Sequence, residues 1–279
     1  MLEQNHKPGL YVVATPIGNI LDISLRALNI LKQARYVFAE DTRQSRKLFD
    51  WYGIKTKLIA CHEYNETDNS VISLIEKGEI YALISDAGTP AISDPGYKIV
   101  NWCLQNEIDI FPVPGACSFV SALSASGMPS DRFIFLGFLP QKEHARKIFL
   151  NELTNEIATM IFFESPNRLL NTLKNMREIF GDRHCCICRE LTKIFEEFRR
   201  GRISDLIKYF SANKPIGEFV ILITGCEKQN INNEESIFAE LNEVLRSKSV
   251  KESVKFISEK YHVPKNTVYK KALELKERI

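Results

Sequence analysis

Residues 81–96 read Tyr81-Ala82-Leu83-Ile84-Ser85-Asp86-Ala87-Gly88-Thr89-Pro90-Ala91-Ile92-Ser93-Asp94-Pro95-Gly96. A short apolar run without alternation passes straight into a loop of glycine, proline, serine and aspartate. A strand buried on both faces loses the usual in–out alternation, so residues 82–84 predict a central strand of a parallel sheet. Residues 11–14 have the same character. Working outward, eight apolar, β-rich runs stand at 10–14, 36–39, 81–85, 108–113, 133–138, 160–163, 185–188 and 219–224. Helix-period segments separate several of them. Residues 24–31 carry apolar side chains at spacings of three and four behind an Asp22/Ser24 cap, and residues 70–75 begin a second helix ended by Gly78. Strands alternating with helices predict an α/β fold, largely parallel in its first half.

Length and charge bound the rest. A chain of 279 residues has room for about two domains. With 44% apolar residues it can bury a substantial core, and 37 Lys+Arg against 35 Asp+Glu leave a net charge of +2. That balance excludes a polycation, an acidic solvating chain and a composition-driven disordered chain. No apolar run reaches the roughly 18 residues of a membrane helix, and Met1-Leu2-Glu3-Gln4-Asn5-His6-Lys7-Pro8 lacks a signal-peptide core. A soluble, cytoplasmic protein without a membrane partner is expected. The seven cysteines agree, since Cys103, Cys185, Cys186 and Cys188 lie in or beside apolar runs and read as reduced thiols. Cys185-Cys186-Ile187-Cys188 lacks the second pair of a metal site and the following helix of a redox site. No metal is expected.

Two composition shifts divide the chain. Residues 114–129 are rich in Gly, Ala and Ser, and residues 227–235 are polar and rich in asparagine. The expected organisation is an α/β domain over 1–118, a second α/β domain over 119–226, and a linker with a basic helical hairpin over 227–279. Between Arg246 and Arg278 ten Lys/Arg face four Glu. Residues 250–261 and 267–278 are helical in pattern, joined by a tight connection at 262–266 with Pro264. This outline fits a helix-turn-helix meeting nucleic-acid phosphates and equally a solvated hairpin covering an apolar face; charge leaves both open.

Chemistry is expected where strands end, because ligands of doubly wound sheets bind beyond the carboxyl ends of the strands. Four such loops combine Gly, Pro, Ser, Thr and acids: Thr15-Pro16-Ile17-Gly18-Asn19, Glu40-Asp41-Thr42-Arg43, Asp86-Ala87-Gly88-Thr89-Pro90 and Pro112-Val113-Pro114-Gly115. One such loop is merely a tight turn; four on one sheet edge point to a site. Neither G-x-G-x-x-G after the first strand, nor a P-loop, nor G-x-S-x-G occurs. The five histidines are scattered without metal-ligand spacing. What remains is a ligand held by backbone and small side chains, with acids and arginine nearby.

These loops, with the full 83–96 string and Pro112-Val113-Pro114-Gly115-Ala116, resemble the tetrapyrrole-methylase superfamily. Within it they are most similar to the ribosomal branch that methylates the ribose 2′-hydroxyl of cytidine 1402 in 16S rRNA. Phe162-Phe163-Glu164-Ser165-Pro166-Asn167-Arg168, Arg189-Glu190-Leu191-Thr192-Lys193 and Gly217-Glu218-Phe219-Val220 extend the match, which runs from about residue 10 to residue 225. The resemblance implies two α/β domains, each with a central sheet, plus a small helical C-terminal domain. It further implies S-adenosylmethionine in the cleft between the sheets, and a homodimer. Carried onto this chain, Pro16 and Gly18 line the methionine end, and Asp86, Gly88, Ala91 and Ile92 form the central cofactor loop. Pro114, Gly115 and Ser118 form the next wall, and Phe163, Gly217 and Glu218 approach the adenine. Tetrapyrrole-modifying relatives carry a G-x-G-P-G-D first loop where this chain has Pro16-Ile17-Gly18-Asn19, a departure that moves the substrate away from corrins and porphyrins.

A ribose hydroxyl is a weak nucleophile and loses its proton as it attacks a methyl group, so alignment and a nearby carboxylate carry the catalysis. Glu40, Asp41 and Asp86 are the candidate bases; capping of the next helix and an Asx turn are the plainer readings of the same residues. Arg43 is placed to hold a phosphate. Arg168, Arg189 and Lys193 form either a second RNA rim or ion pairs with Glu164 and Glu190. The alternatives to 16S rRNA in the small ribosomal subunit are a small tetrapyrrole substrate, or a non-catalytic nucleic-acid-binding protein led by the tail.

Overall fold

The computed structural model describes residues 6–226, 234–261 and 263–276. The chain divides into two compact units, Met1–Gly225 and Cys226–Ile279. The larger holds two five-stranded sheets. The first contains β1 (Gly9–Val13), β2 (Tyr36–Ala39), β3 (Lys57–Ala60), β4 (Ile80–Ile84) and β5 (Ile110–Val113), in the order β3-β2-β4-β1-β5. Every pairing is parallel. α1 (Leu25–Gln33), α2 (Thr42–Tyr52), α3 (Asn69–Ile72) and α4 (Tyr97–Gln105) connect the strands. Tyr11 and Val13 of β1 enter one core with Ala27, Ile30, Val37 and Phe49, whereas Leu10 enters another with Phe38, Tyr81, Leu83 and Ile99. Burial on both faces is why the runs at 11–14 and 82–84 do not alternate.

The second sheet contains β6 (Phe133–Phe138), β7 (Thr159–Glu164), β8 (His184–Arg189), β9 (Glu197–Arg202) and β10 (Phe219–Ile223), in the order β6-β7-β10-β8-β9. Only β6–β7 is parallel. α5 (Ser118–Ser126) packs on this sheet, with Ala122 and Leu123 against Ile161, Cys186 and Leu222. α6 (Glu143–Glu152), α7 (Pro166–Phe180) and α8 (Ile203–Ala212) belong to the opposite core around Phe162, Leu169, Leu173 and Ile221. Cys185, Cys186 and Cys188 are buried free thiols in β8, the strand setting expected for them.

Three expectations are corrected. Ten strands are present among the described residues, against eight apolar runs; β3 and β9 are the additions. Both are edge strands, and β9 reads Glu-Phe-Arg-Arg-Gly-Arg, a charged sequence that suits a strand paired on one side only. The helix expected from residue 70 stops at Ile72, with Ser73 as its C-cap. The helix expected from residue 24 begins at Leu25, and the Ser24 hydroxyl alone caps it, accepting from the Ala27 N–H at 3.0 Å.

The smaller unit contains α9 (Glu234–Leu245), α10 (Val250–Tyr261) and α11 (Lys265–Lys276) around Ile237, Leu241, Val254, Ile257, Val268 and Ala272. The expected linker lies outside the described residues except at its last two positions, which start α9; Arg278 also lies outside them. No helix among the described residues is long and apolar enough to cross a membrane.

Phe162 is fully buried at the centre of the second core. Phe162→Ala is expected to cost about 3–5 kcal/mol of stability, read as a lowered denaturation midpoint in a urea titration.

Candidate active site

The four strand-end loops are tied to one another by backbone and short side chains. The Thr15 N–H donates to the Gly88 carbonyl at 2.8 Å and the Gly88 N–H returns to the Thr15 carbonyl at 3.0 Å. The Thr15 hydroxyl donates to the Ser85 carbonyl at 3.2 Å. The Thr89 hydroxyl reaches the Ala116 carbonyl beyond β5 at 3.2 Å, and the Asp41 N–H after β2 donates to Asp86 Oδ1 at 3.0 Å. All four loops predicted from sequence therefore meet at one sheet edge. Gly88 adopts φ +81°, where a side chain would also press on Ile17, so the close approach of these loops depends on glycine here.

A cavity of about 410 Å³ opens above this edge. Ile17, Gly88 and Ile92 contribute from the first-sheet loops, and Phe138, Phe163 and Val220 from the second sheet. The expected cofactor residues Gly88, Ile92, Ser118, Phe163, Gly217 and Glu218 line it. Pro16, Gly18, Asp86, Ala91, Pro114 and Gly115 lie outside its lining and shape the turns beside it. Gly18 abuts the loop after β8: a Cβ there would stand 2.5 Å from Lys193 Cγ and 2.8 Å from Thr192 Oγ1. The adjoining Asn19 N–H donates to that same Thr192 hydroxyl at 3.0 Å. On the other rim, Glu190 accepts from the Glu218 N–H at 2.9 Å, and Lys193 Nζ bridges Glu190 at 3.0 Å and Glu218 at 2.8 Å. The donor set fits S-adenosylmethionine: aromatic and aliphatic walls suit an adenine ring, while exposed backbone at glycine turns and the Glu218 carboxylate suit its polar ends. Phe138 carries no sequence mark that separates it from the other residues of its apolar run, whereas Leu191 and Val220 stand in strings that extend the family match.

A second cavity, about 660 Å³, lies on the far side of the 91–95 turn. Glu40, His62, Glu63, Glu66 and Lys98 line it, with Tyr64 and Tyr97 at its rim. Ser93 and Asp94 line both cavities. Burial, reinforced by the Asp86 charge, raises the Glu40 carboxyl above its ordinary range. Burial also raises Asp94, to about 6, with Glu40 and Asp86 adding to the shift and the Ser85 hydroxyl opposing it. Asp41 behaves oppositely: hydrogen bonds from the Arg43 guanidinium and N–H hold it down to about 2. It also caps α2, as the plainer sequence reading had it.

The four expected RNA-binding cations are placed differently from one another. Arg43 is 89% exposed beside Asp41. Arg168 forms an ion pair with buried Glu164 at 2.6 Å and donates to the Leu139 carbonyl at 3.2 Å. Arg189 donates to the Ile216 carbonyl at 2.7 Å, and Lys193 is held by Glu190 and Glu218. All four have a carboxylate partner within the protein, Arg43 in Asp41 and Arg189 in Glu197 at 4.0 Å, and only Arg43 is mostly exposed.

Residues 9–207 match the family of tetrapyrrole (corrin/porphyrin) methylases. The chain belongs to this family. Proteins named ribosomal RNA small subunit methyltransferase I are 45% identical in Pseudomonas aeruginosa, over 95% of this chain and 96% of that one, and 41% identical in Halalkalibacterium halodurans, over 96% and 95%. One from Thermotoga maritima is 43% identical over 220 residues, 78% of this chain and 99% of its own, and so does without about a fifth of the present chain. A cobalt precorrin-4 methyltransferase of cobalamin biosynthesis shares the fold at 20% identity (TM-score 0.57, covering 77% of this chain and 94% of that one). So does uroporphyrin-III-C-methyltransferase from Thermus thermophilus, at 20% identity and a TM-score of 0.54, over 76% and 93%.

Gly18→Ala is expected to push the first loop off Thr192 and weaken S-adenosylmethionine binding by at least about tenfold, a loss of about 1.4 kcal/mol. Calorimetric titration of the purified protein measures it, with the melting temperature as control for folding.

Proposed function

We propose that this chain transfers a methyl group from S-adenosylmethionine to the 2′-hydroxyl of a cytidine ribose in small-subunit 16S rRNA, at cytidine 1402. The observation that carries this reading is identity of 41–45% running nearly end to end with proteins named ribosomal RNA small subunit methyltransferase I. The sites support it. S-adenosylmethionine supplies the electrophilic methyl group when bound. The glycine turns at Gly88 and Gly217 bring backbone to the ligand, and Phe163, Gly217 and Glu218 form the adenine side. Glu40 and Asp86 gather negative charge at the sheet edge beside the cleft, and Asp41 keeps Arg43 at the edge, facing solvent for a phosphate. The protein works in the cytoplasm as a homodimer, with 1–118 and 119–226 as its two catalytic halves.

A tetrapyrrole substrate is disfavoured by the second cavity. Four carboxylates against one lysine, Lys98, repel the acid side chains such macrocycles carry. A relative matched over 99% of its length by 78% of this chain carries the same name, which supports a chemistry that does not need every part of the chain.

Tritiated S-adenosylmethionine incubated with small ribosomal subunits from a strain lacking this gene is expected to label one 2′-O-methylcytidine, located by nuclease mapping. Asp86→Ala, which removes the acceptor for the Asp41 N–H, is expected to lower the labelling rate at least about tenfold, the scale of one lost hydrogen bond to a charged group. Label on a porphyrin precursor and none on subunits or naked rRNA would establish the small-molecule reading instead.

A further inference from the structure

The two cavities share a short stretch of lining. Ser93 and Asp94 line the cofactor cleft on one side and the acid-lined hollow on the other, and among the described residues no other lines both. A group-transfer reaction joins two ligands at one atom of each, so the reacting atoms meet where their sites adjoin. We propose that the hollow beside the cofactor cleft receives the cytidine nucleoside to be methylated, and that Asp94 takes the proton from its 2′-hydroxyl. This rests on the rRNA methyltransferase reading above.

The turn that carries the two residues is held in a costly conformation. Ala91 and Ser93 have φ of +67° and +61°, values that L side chains rarely adopt, and such strain persists where the surroundings enforce it. The Ala91 N–H donates to the Pro95 carbonyl at 3.0 Å, closing the turn. Its far end is fixed by Glu66, which is 3% exposed and accepts from the Gly96, Lys98 and Ile99 N–H groups at 3.0, 2.9 and 3.3 Å. That carboxylate anchors the first turn of α4 from outside the helix. On the cleft side, Gly137 of β6 lies so close that a Cβ would stand 3.2 Å from the Ser93 hydroxyl. Asp94 is therefore held between fixed neighbours.

The lining of the hollow selects the class of ligand. Its carboxylates reject phosphate and accept from neutral donors; ribose hydroxyls and the cytosine N4 amine are such donors, and Asp or Glu is the usual acceptor for that amine. Tyr64 and Tyr97, 87% and 72% exposed, stand at the rim as stacking surfaces for a base turned out of its strand. Arg43 lies outside the hollow, facing solvent where a flanking phosphate would run. In the transfer, the ribose oxygen forms its bond to the methyl carbon as the carbon–sulfur bond breaks. That bond pair stays on sulfur, and the hydroxyl proton passes to an Asp94 carboxylate oxygen and then to water.

The charged groups around Asp94 are Glu40 and Asp86 at the ends of β2 and β4, Glu63, Glu66 and His62 after β3, and Lys98 in α4. Glu164 and Glu218 face it across the cofactor cleft. The acids dominate, so the carboxyl ionises late, and single-turnover methylation by the wild-type protein is expected to rise tenfold per pH unit up to about 6 and then level off. The raised value also costs the fold: stability held while Asp94 is protonated is lost as pH climbs through about 6. Asp94→Asn is therefore expected to melt higher than wild type at pH 8, with the difference vanishing near pH 4.

The test combines that melting comparison with calorimetric binding of S-adenosylmethionine and single-turnover labelling of small subunits. Expected for Asp94→Asn are cofactor affinity within about threefold of wild type, a methylation rate at least about a hundredfold lower, within the range of general-base removal, and no pH limb near 6. Tyr64→Ala is expected to raise the half-saturating subunit concentration about tenfold, as loss of a stacked base does, with Tyr64→Phe restoring it. Labelling by Asp94→Asn within threefold of wild type, or a limb near pH 6 surviving in it, would overturn the assignment while leaving the enzyme reading intact. Failure of the wild-type protein itself to label subunits would overturn both.

Discussion

Two backbone hydrogen bonds, between Thr15 and Gly88 at 2.8 and 3.0 Å, hold the site in its form. β1 and β4 are adjacent central strands of a parallel sheet, so both chains leave it at the same edge. Parallel strands do not by themselves fix the loops that follow them. The Thr15–Gly88 bridge runs antiparallel and turns the two exits into a floor, to which Thr89 adds the loop after β5 and Asp86 the loop after β2. Released from this bridge, the four loops would be ordinary turns.

The same economy brings the second sheet to the first. The contacts across the cleft fall at glycines and short polar groups: Gly18 and Asn19 on Thr192, and Gly137 on Ser93. The far rim is closed by Gly217, whose φ of +101° lets Glu190 reach the Glu218 N–H. Close backbone approach leaves a cleft whose size is set by main chain, with side chains supplying apolar walls. A cofactor with an aromatic ring and charged ends is held by such a cleft without an arginine clamp, and Arg168 accordingly turns to Glu164 and the Leu139 carbonyl.

The sequence was most legible where burial is complete. β1, β4 and β10 are apolar throughout because both faces pack, and their runs and loop exits were read in place. Edge strands obey a weaker rule. β9 pairs only with β8 and spends its side chains on ion pairs, Arg199 with Glu197 among them, so it left no hydrophobic trace. The 62–68 segment was illegible for a different reason. Glu66 is buried because three N–H groups of a distant turn and helix need an acceptor, and a contact spanning 30 residues has no local pattern. Asp94 stood in the quoted string, but only the folding of residues 62–66 over it gives its neighbour Ser93 and itself a second cavity to face.

Acidic crowding explains the distribution of the carboxylates. Glu40, Asp86 and Asp94 lie within one another's fields, and gathering three negative charges at a half-buried edge opposes folding. Asp41 escapes through Arg43 and Glu66 through the α4 N-terminus, each compensated by donors that the fold supplies locally. Among the described residues Glu40 meets only the Asp86 N–H, at 3.5 Å, and Asp94 the Ser85 hydroxyl, and both carboxyls stay raised. A carboxylate left raised and half-buried beside a cleft destabilises the resting protein, and that cost is offset once a hydroxyl donor arrives. The polar groups that stabilise this sheet edge and those left wanting a partner are thus sorted by position. The compensated ones anchor loops, and the uncompensated ones border the space where substrate is to sit.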